Sequence, residues 1–112
     1  MRLASLLLLV FSFNVLQAGF VDPTPNITPI SKLKEVQDDH WIIIEGYIVK
    51  QLDKDTYLFR DRNHDVKIEI DEDVWQGRDV TPKTRIRLYG EMDQSDQDLL
   101  VDVKKIILIP KD

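Results

Sequence analysis

The sequence predicts a small, mainly β domain, and three observations lead to that fold class. Apolar and polar residues alternate over several stretches, which is the period of half-buried strands. Turn-forming residues separate those stretches at short intervals. The chain of 112 residues is one domain long and contains no cysteine, so a single apolar core must hold it together.

Two helices and five strands are predicted, in the order helix, strand, strand, strand, helix, strand, strand. Ser31 stands where it would cap the first helix, and Leu33 and Val36 lie three residues apart on one face. Asp71 and Gly77 are start and stop signals for the second helix. The predicted ranges are 30–36 and 71–77 for the helices, and 41–50, 56–60, 66–70, 84–91 and 99–109 for the strands.

Three local features refine these strands. Gly46 lies inside the first strand, where a glycine indicates a bend or the close approach of another backbone segment. Residues 92–98 are predicted to form an acidic loop. The alternation slips by one residue near Lys104-Lys105, which predicts a β-bulge. The order of elements favours the OB-fold, a five-stranded Greek-key barrel, while another small β-barrel or sandwich of the same length stays open.

The first 18 residues are predicted to be a cleaved secretory signal peptide. Arg2 is the charged start, Leu3–Phe13 is the apolar run, and Ala18 is the small residue before the cleavage point. The apolar run is too short to span a membrane, and Phe20 stands where a lipoprotein carries its cysteine. We therefore expect export without a membrane anchor, with an extended proline-rich leader at 19–29 and an OB-fold domain at 30–112.

Several stretches, in order and at these spacings, resemble the bacterial OB-fold (BOF) family of small exported stress-tolerance proteins. The resemblance runs from Gly19 to Ile106 and implies an OB-fold, a periplasmic location and a role in tolerance to peroxide, metal, acid or cationic-peptide stress. It implies no defined reaction and no binding residues. The stretches are GFVDP, DDHWIIIEGYIV, TYLFRD, KIEIDEDVWQG, VTPKTRIRLYGEMD and VDVKKI.

The negative net charge of the chain indicates which kinds of partner it can bind. The formal net charge of −5 opposes binding to phosphate backbones and favours cationic partners. In an OB-fold, the loops between strands one and two and between strands four and five border the ligand-binding face. Asp53 and Asp55 lie in the first loop, and Asp93, Asp96 and Asp98 lie in the second. These five aspartates are the predicted ligand-binding residues, for a cationic small molecule, a cationic peptide or an envelope protein, unless the loops are merely solvated turns.

A single-stranded nucleic-acid-binding OB domain is an alternative. Tyr57 and Phe59 share one face of the second strand and would stack bases, flanked by Lys67, Arg85 and Arg87. The net charge opposes this reading. The alternation of the strand favours a position for both rings inside the barrel or at its mouth.

An enzyme with an acidic site is the other alternative. Such a site would have to be assembled from scattered carboxylates. His40 and His64 fall in separate loops, and no serine has the sequence context of a nucleophile. We therefore expect a non-enzymatic protein, with no catalytic residue and no cofactor.

The stretch DRNHDVKIEIDE at 61–72 fits an EF-hand calcium loop at every required position but one. Its candidate ligands are Asp61, Asn63, Asp65 and Glu72. Val66 replaces the glycine, and a β-branched residue resists the positive φ of that turn. A strand starting at Val66 would carry Glu72 roughly 20 Å from the turn. The stretch is therefore interpreted as a hairpin turn, a strand and the start of a helix, with no metal site.

Overall fold

A computed structural model describes residues 25–94 and 98–111 of the chain. The predicted signal peptide at 1–18 lies outside the described residues, as does the leader as far as residue 24. No helix within the described ranges has the length and hydropathy needed to cross a bilayer. The elements are a 3₁₀ helix at Ile30–Glu35, α1 at Glu72–Trp75, and the strands β1 Trp41–Gln51, β2 Thr56–Arg60, β3 Asp65–Glu69, β4 Ile86–Gln94 and β5 Leu99–Leu108.

The five strands close into a barrel in the order β1-β2-β3-β5-β4. β3 and β5 run parallel, and every other pair of neighbours is antiparallel. The long strand β1 pairs with β4 through residues 41–46 and with β2 through residues 47–51. This topology, with α1 between β3 and β4, confirms the predicted OB-fold.

Gly46 marks the point where β1 changes partner. It pairs with Ile86 of β4, while the next residue, Tyr47, pairs with Arg60 of β2. A Cβ atom on Gly46 would lie 2.1 Å from the carbonyl oxygen of Arg60, so only a glycine fits beside that carbonyl. The close backbone approach predicted from the sequence is confirmed.

The barrel interior is filled by apolar side chains from alternate strand positions, together with Ile30 and Leu33 of the 3₁₀ helix. No polar side chain is buried among the described residues. Met92, predicted to start a loop, is fully buried and pairs with Val101. β4 therefore runs on to Gln94, because residues 86, 88, 90 and 92 all continue its inward alternation.

The first helix differs from its prediction in type and in its cap. It is a 3₁₀ helix that begins after Pro29, and no side chain caps it. Ser31 lies within the helix and is exposed, so its predicted capping role is wrong. A helix with three residues per turn stacks positions i and i+3, and Ile30 and Leu33 are both buried on that spacing.

The predicted bulge in the fifth strand is confirmed. Lys105 pairs with Tyr89, and Val103 pairs with Gly90, so Lys104 is the extra residue. The bulge keeps Val103 and Ile106 directed into the core, although they are three residues apart.

Candidate ligand-binding face

The predicted site residues occupy different environments. Asp53 is exposed in the β1–β2 loop, and Asp55 is half-buried at its end. Asp93 lies in β4 rather than in a loop, because the strand is longer than predicted. Asp98 immediately precedes β5 and is exposed. Asp96 falls outside the described residues.

The β1–β2 loop is tied to the end of β3. The backbone N–H of Ile70 donates to the carbonyl oxygen of Asp55 at 2.8 Å. Asp98 forms an ion pair with Lys67 of β3, with 3.2 Å between Nζ and Oδ2. Both candidate loops therefore reach β3, one of the two strands that form the ligand-binding face in OB-folds.

Three carboxylates form a row across the outer wall of the barrel between these loops. Glu69 of β3 is the register partner of Asp102 in β5, and Asp102 is the partner of Glu91 in β4. All three side chains are half-buried. Because adjacent strands are about 4.8 Å apart, the row brings like charges side by side, which is locally unfavourable. We call Glu69, Asp102 and Glu91 the acidic row.

The pKa of Glu69 reflects the negative electrostatic potential of this surface. Burial raises the pKa of Glu69, and the negative charges of Asp102, Asp71, Asp55 and Asp93 raise it further. Asp55 and Asp93, two of the predicted site residues, are therefore close enough to act on one carboxyl group. The only ion pair of the acidic row in the described part of the chain is the one between Asp102 and Lys104, at 3.1 Å.

Sequence reasoning missed the members of the acidic row. Alternation identifies Glu69 and Glu91 as outward residues on their strands. It does not reveal that Asp102 lies between them. That position depends on the parallel register of β3 and β5, which are far apart in the chain. A search for carboxylates at outward strand positions would have found the residues but not their pairing across the strands.

The cations named for nucleic-acid binding are paired with carboxylates. Arg85 Nη2 lies 3.0 Å from Oε1 of Glu45, and Arg87 Nε lies 2.6 Å from Oε2. Burial would raise the pKa of Glu45, but the hydrogen bonds from the two arginines outweigh it and hold that pKa below its usual value. Tyr57 packs against the core, and Phe59 is fully buried. The rings and the arginines do not form a basic stacking groove.

The calcium-like stretch forms a hairpin turn, the strand β3 and the start of α1, as interpreted from the sequence. Asp61 accepts the backbone N–H of Ile30 at 2.8 Å, and Asp65 accepts two bonds from Arg60 at 2.6 and 3.0 Å. Val66 is buried in β3. Glu72 begins α1. Two of the four candidate ligands, Asp61 and Asp65, thus accept hydrogen bonds from other protein groups. Within the described ranges, no cluster of His, Asp and Glu side chains could hold a metal ion.

His40 and His64 are both exposed, and Nδ1 of His40 lies 3.3 Å from the carbonyl oxygen of Asp38. His64 lies in the β2–β3 turn, and His40 lies just before β1. The environments expected from the sequence, two solvated loops, are the ones found.

Comparison with known proteins gives the family. The sequence model described as Bacterial OB fold (BOF) protein matches residues 12–108. Protein YgiW of Escherichia coli K12 is 34% identical over 81 residues, which are 72% of this chain and 62% of YgiW, so the match spans less than two thirds of that relative. The calcium-regulated OB-fold protein CarO of Pseudomonas aeruginosa PAO1 is 34% identical over 102 residues, 89% of this chain and 88% of CarO.

Solved structures agree with that assignment. The structure of the hypothetical protein ygiW from E. coli has a TM-score of 0.74 at 33% identity, covering 83% of this chain and all of that one. The telomere capping protein Ten1 from Saccharomyces pombe has a TM-score of 0.60 at 14% identity, covering 76% of this chain and 81% of Ten1, and shares the fold alone. The family match, CarO and the ygiW structure together show that this chain belongs to the bacterial OB fold family, as the sequence resemblance predicts.

Proposed function

We propose that this chain is a non-enzymatic, periplasmic binding protein that supports tolerance to envelope stress. Its ligand is a cationic small molecule, a cationic peptide or the basic surface of an envelope protein. The ligand meets the acidic row and the flanking Asp55 and Asp93. The observation that carries the proposal is the register of the acidic row, which sets three carboxylates side by side on adjacent strands. The raised pKa of Glu69, caused by burial and by four neighbouring aspartates, supports it.

A bound cation would relieve this excess of negative charge. Two unit charges 4 Å apart interact by about 4 kcal/mol at the effective dielectric of a protein surface. Lys67 pairs with Asp98, and Lys104 pairs with Asp102 and is also attracted by Glu91. The two lysine side chains are 42% and 45% exposed, so solvent screens these pairs. A ligand with several positive charges would gain more than these isolated pairs, and its binding would weaken with added salt.

The envelope role rests on family membership and on the export signal in the sequence. CarO is described as calcium-regulated, which is said of that relative. We infer for this chain a comparable response to envelope conditions, including peroxide, metal, acid and cationic-peptide stress. Mass spectrometry of the protein recovered from the periplasmic fraction tests the location. Loss of residues 1–18 is expected, and recovery of the uncleaved chain in the cytoplasm would contradict it.

Thermal-shift measurements test the ligand class. We expect spermine and an arginine-rich peptide to raise the melting temperature at low salt, since a ligand that binds only the folded state stabilises it by mass action. The effect should shrink at about 0.15 M salt, where the screening length is about 8 Å. A larger shift with single-stranded oligonucleotides than with spermine would contradict the proposal.

A charge-matched pair of variants locates the binding. The double variant Glu69→Gln and Glu91→Gln removes two charges from the acidic row. The control, Glu35→Gln and Glu72→Gln, removes the same charges from exposed positions elsewhere. The proposal requires the spermine shift to fall in the first variant and to persist in the second. Equal losses in both would mean that only net charge matters.

A further inference from the structure

A cleft at one end of the barrel lies apart from the acidic row. Its volume is about 590 Å³, within the range of small-molecule sites. The cleft is lined by the C-terminal half of β1, by Tyr57 of β2, and by α1 with the segment leading to β4. None of Glu69, Asp102 and Glu91 lines it.

The cleft has aromatic and apolar walls. Tyr57 and Trp75 both line it, with their ring centroids 5.6 Å apart and their planes at 76°, an edge-to-face pair. Ile48, Val80 and Pro82 complete the apolar surface. Both aromatic rings rest against the core, so they present a fixed surface to any ligand.

Arg78 fixes the wall that α1 contributes. Its guanidinium donates to the carbonyl oxygens of Ile106 at 2.8 Å, Trp75 at 3.0 Å and Val74 at 3.4 Å. These bonds join the last turn of α1 to β5 and hold the backbone that carries Trp75. The cleft is therefore formed before any ligand arrives.

The charges around the cleft cancel. Lys50 and Arg78 are positive, and Glu72 and Asp79 are negative. Among the described residues, no ion pair within 4 Å joins any of these four side chains. The rim thus has no net charge and favours neither an anion nor a cation, in contrast to the acidic row.

We propose that this cleft is a second binding site, which takes a planar aromatic small molecule without net charge. The ring of the ligand packs against Trp75 and Tyr57, and its polar groups face the balanced rim. This inference is independent of the cationic ligand proposed above, since the two sites share no residue and select different chemistry.

Four probes with one ring system and different charges test the proposal. Indole is neutral, tryptophan is zwitterionic, indole-3-acetate is an anion and tryptamine is a cation. Each is titrated into ¹⁵N-labelled protein while amide and indole N–H shifts are followed. We expect indole and tryptophan to bind more tightly than the two ions and to shift the signals of Trp75 and Gly77. Preference for tryptamine with shifts at the acidic row, or no shifts with any probe, would overturn the inference.

Variants separate the cleft from the rest of the surface. Trp75→Leu should weaken indole binding about tenfold, while Trp41→Leu, at the other tryptophan, should leave it unchanged. Lys50→Glu alters only an exposed charge and should turn the preference toward tryptamine at the cleft. If Lys50→Glu left the order of the four probe affinities unchanged, or if Trp41→Leu lost indole binding, the assignment of the cleft as the binding site would be refuted. Failure of spermine to bind would contradict the proposed function and leave this inference standing.

Discussion

Adding one methyl group to Gly46 tests whether the barrel closes where β1 changes partner. Gly46 is the last residue of β1 paired with β4, and the pairing with β2 begins at the next residue. The Cβ of Gly46→Ala would lie 2.1 Å from the carbonyl oxygen of Arg60 and 2.9 Å from its carbon. Both atoms belong to the backbone, so no side-chain rotation relieves the contact.

The loss of stability in Gly46→Ala follows from the distance by which β1 and β2 must separate. Carbon–oxygen contacts settle near 3.3 to 3.6 Å, so β1 and β2 would have to separate by about 1 Å. Overpacking of this kind costs about 1–3 kcal/mol, and a weakened ladder hydrogen bond adds about 0.5–1.5 kcal/mol. We expect Gly46→Ala to lower the free energy of unfolding by about 2–4 kcal/mol. That is a large share of the roughly 5–15 kcal/mol that holds a domain together.

Gly77→Ala is the matched control, because it adds the same methyl group to a different environment. Gly77 has φ of +71°, and nothing lies within 4 Å of the position that an added Cβ would take, so its cost is conformational only, about 1 kcal/mol. Urea unfolding followed by circular dichroism measures both variants. A loss in Gly46→Ala no larger than in Gly77→Ala would refute the argument that the backbone of Arg60 leaves no space.

Four further outcomes are expected. Arg78→Met should lower the free energy of unfolding by about 2–3 kcal/mol in urea, because three carbonyl oxygens lose a charged donor, and Arg78→Lys should recover only part. Gln76→Gly should raise the melting temperature and add up to about 1 kcal/mol to the free energy of unfolding, because Gln76 holds φ of 54°. Because the pKa of Glu69 is raised in the folded state, the stabilising contribution of Glu69 is present below its unfolded pKa and is lost as pH rises through its folded pKa; Glu69→Gln removes this contribution, so the stability of the variant relative to wild type should increase as pH rises in urea titrations at several pH values. The lowered pKa of Glu45 contributes stability at pH values above its unfolded pKa that is lost as pH falls through the folded pKa, so Glu45→Gln should be less stable near neutrality and lose less on acidification.

Most of the barrel could be predicted because its strands carry a strict period of two. β2 has the predicted bounds, and the bulge at Lys104 was visible as a slip in the alternation. The end of β4 was misplaced because Asp93 and its acidic neighbours outweighed the inward position of Met92. Burial decided that boundary, since Met92 completes the barrel core.

The two helices show that capping residues and propensity predict where a helix lies but not its type. Ser31 has the chemistry of a cap, but Pro29 occupies the cap position, and the buried spacing of Ile30 and Leu33 fits three residues per turn. The second helix begins after Asp71 as expected, although the Asp71 side chain forms no capping hydrogen bond. Its left-handed C-cap is Gln76, and Gly77, the predicted stop signal, follows with a positive φ as well. Propensity therefore located both helices but did not determine the type of the first.

The candidate site could be predicted only in part, because it depends on pairing between distant strands. The loop that holds Asp53 and Asp55 follows from the element order alone. The pairing of Glu69 with Asp102 requires the parallel register of β3 and β5, and no local pattern encodes that register. The five predicted aspartates stay a prediction, with Asp55 and Asp93 the two that act on the pKa of Glu69.

Another pair of neighbouring strands in the same barrel carries opposite charges at its register positions, in contrast to the acidic row. At the β1–β4 seam, Glu45 faces Arg87 across the strands, and the pair is closed by a 2.6 Å ion contact. On the other side of β4, Glu91 faces Asp102, and Asp102 faces Glu69. A sheet built only for stability would place opposite charges at these register positions, as it does at Glu45. Departures from such local rules are expected where a surface serves a ligand, which supports a cationic partner at the acidic row.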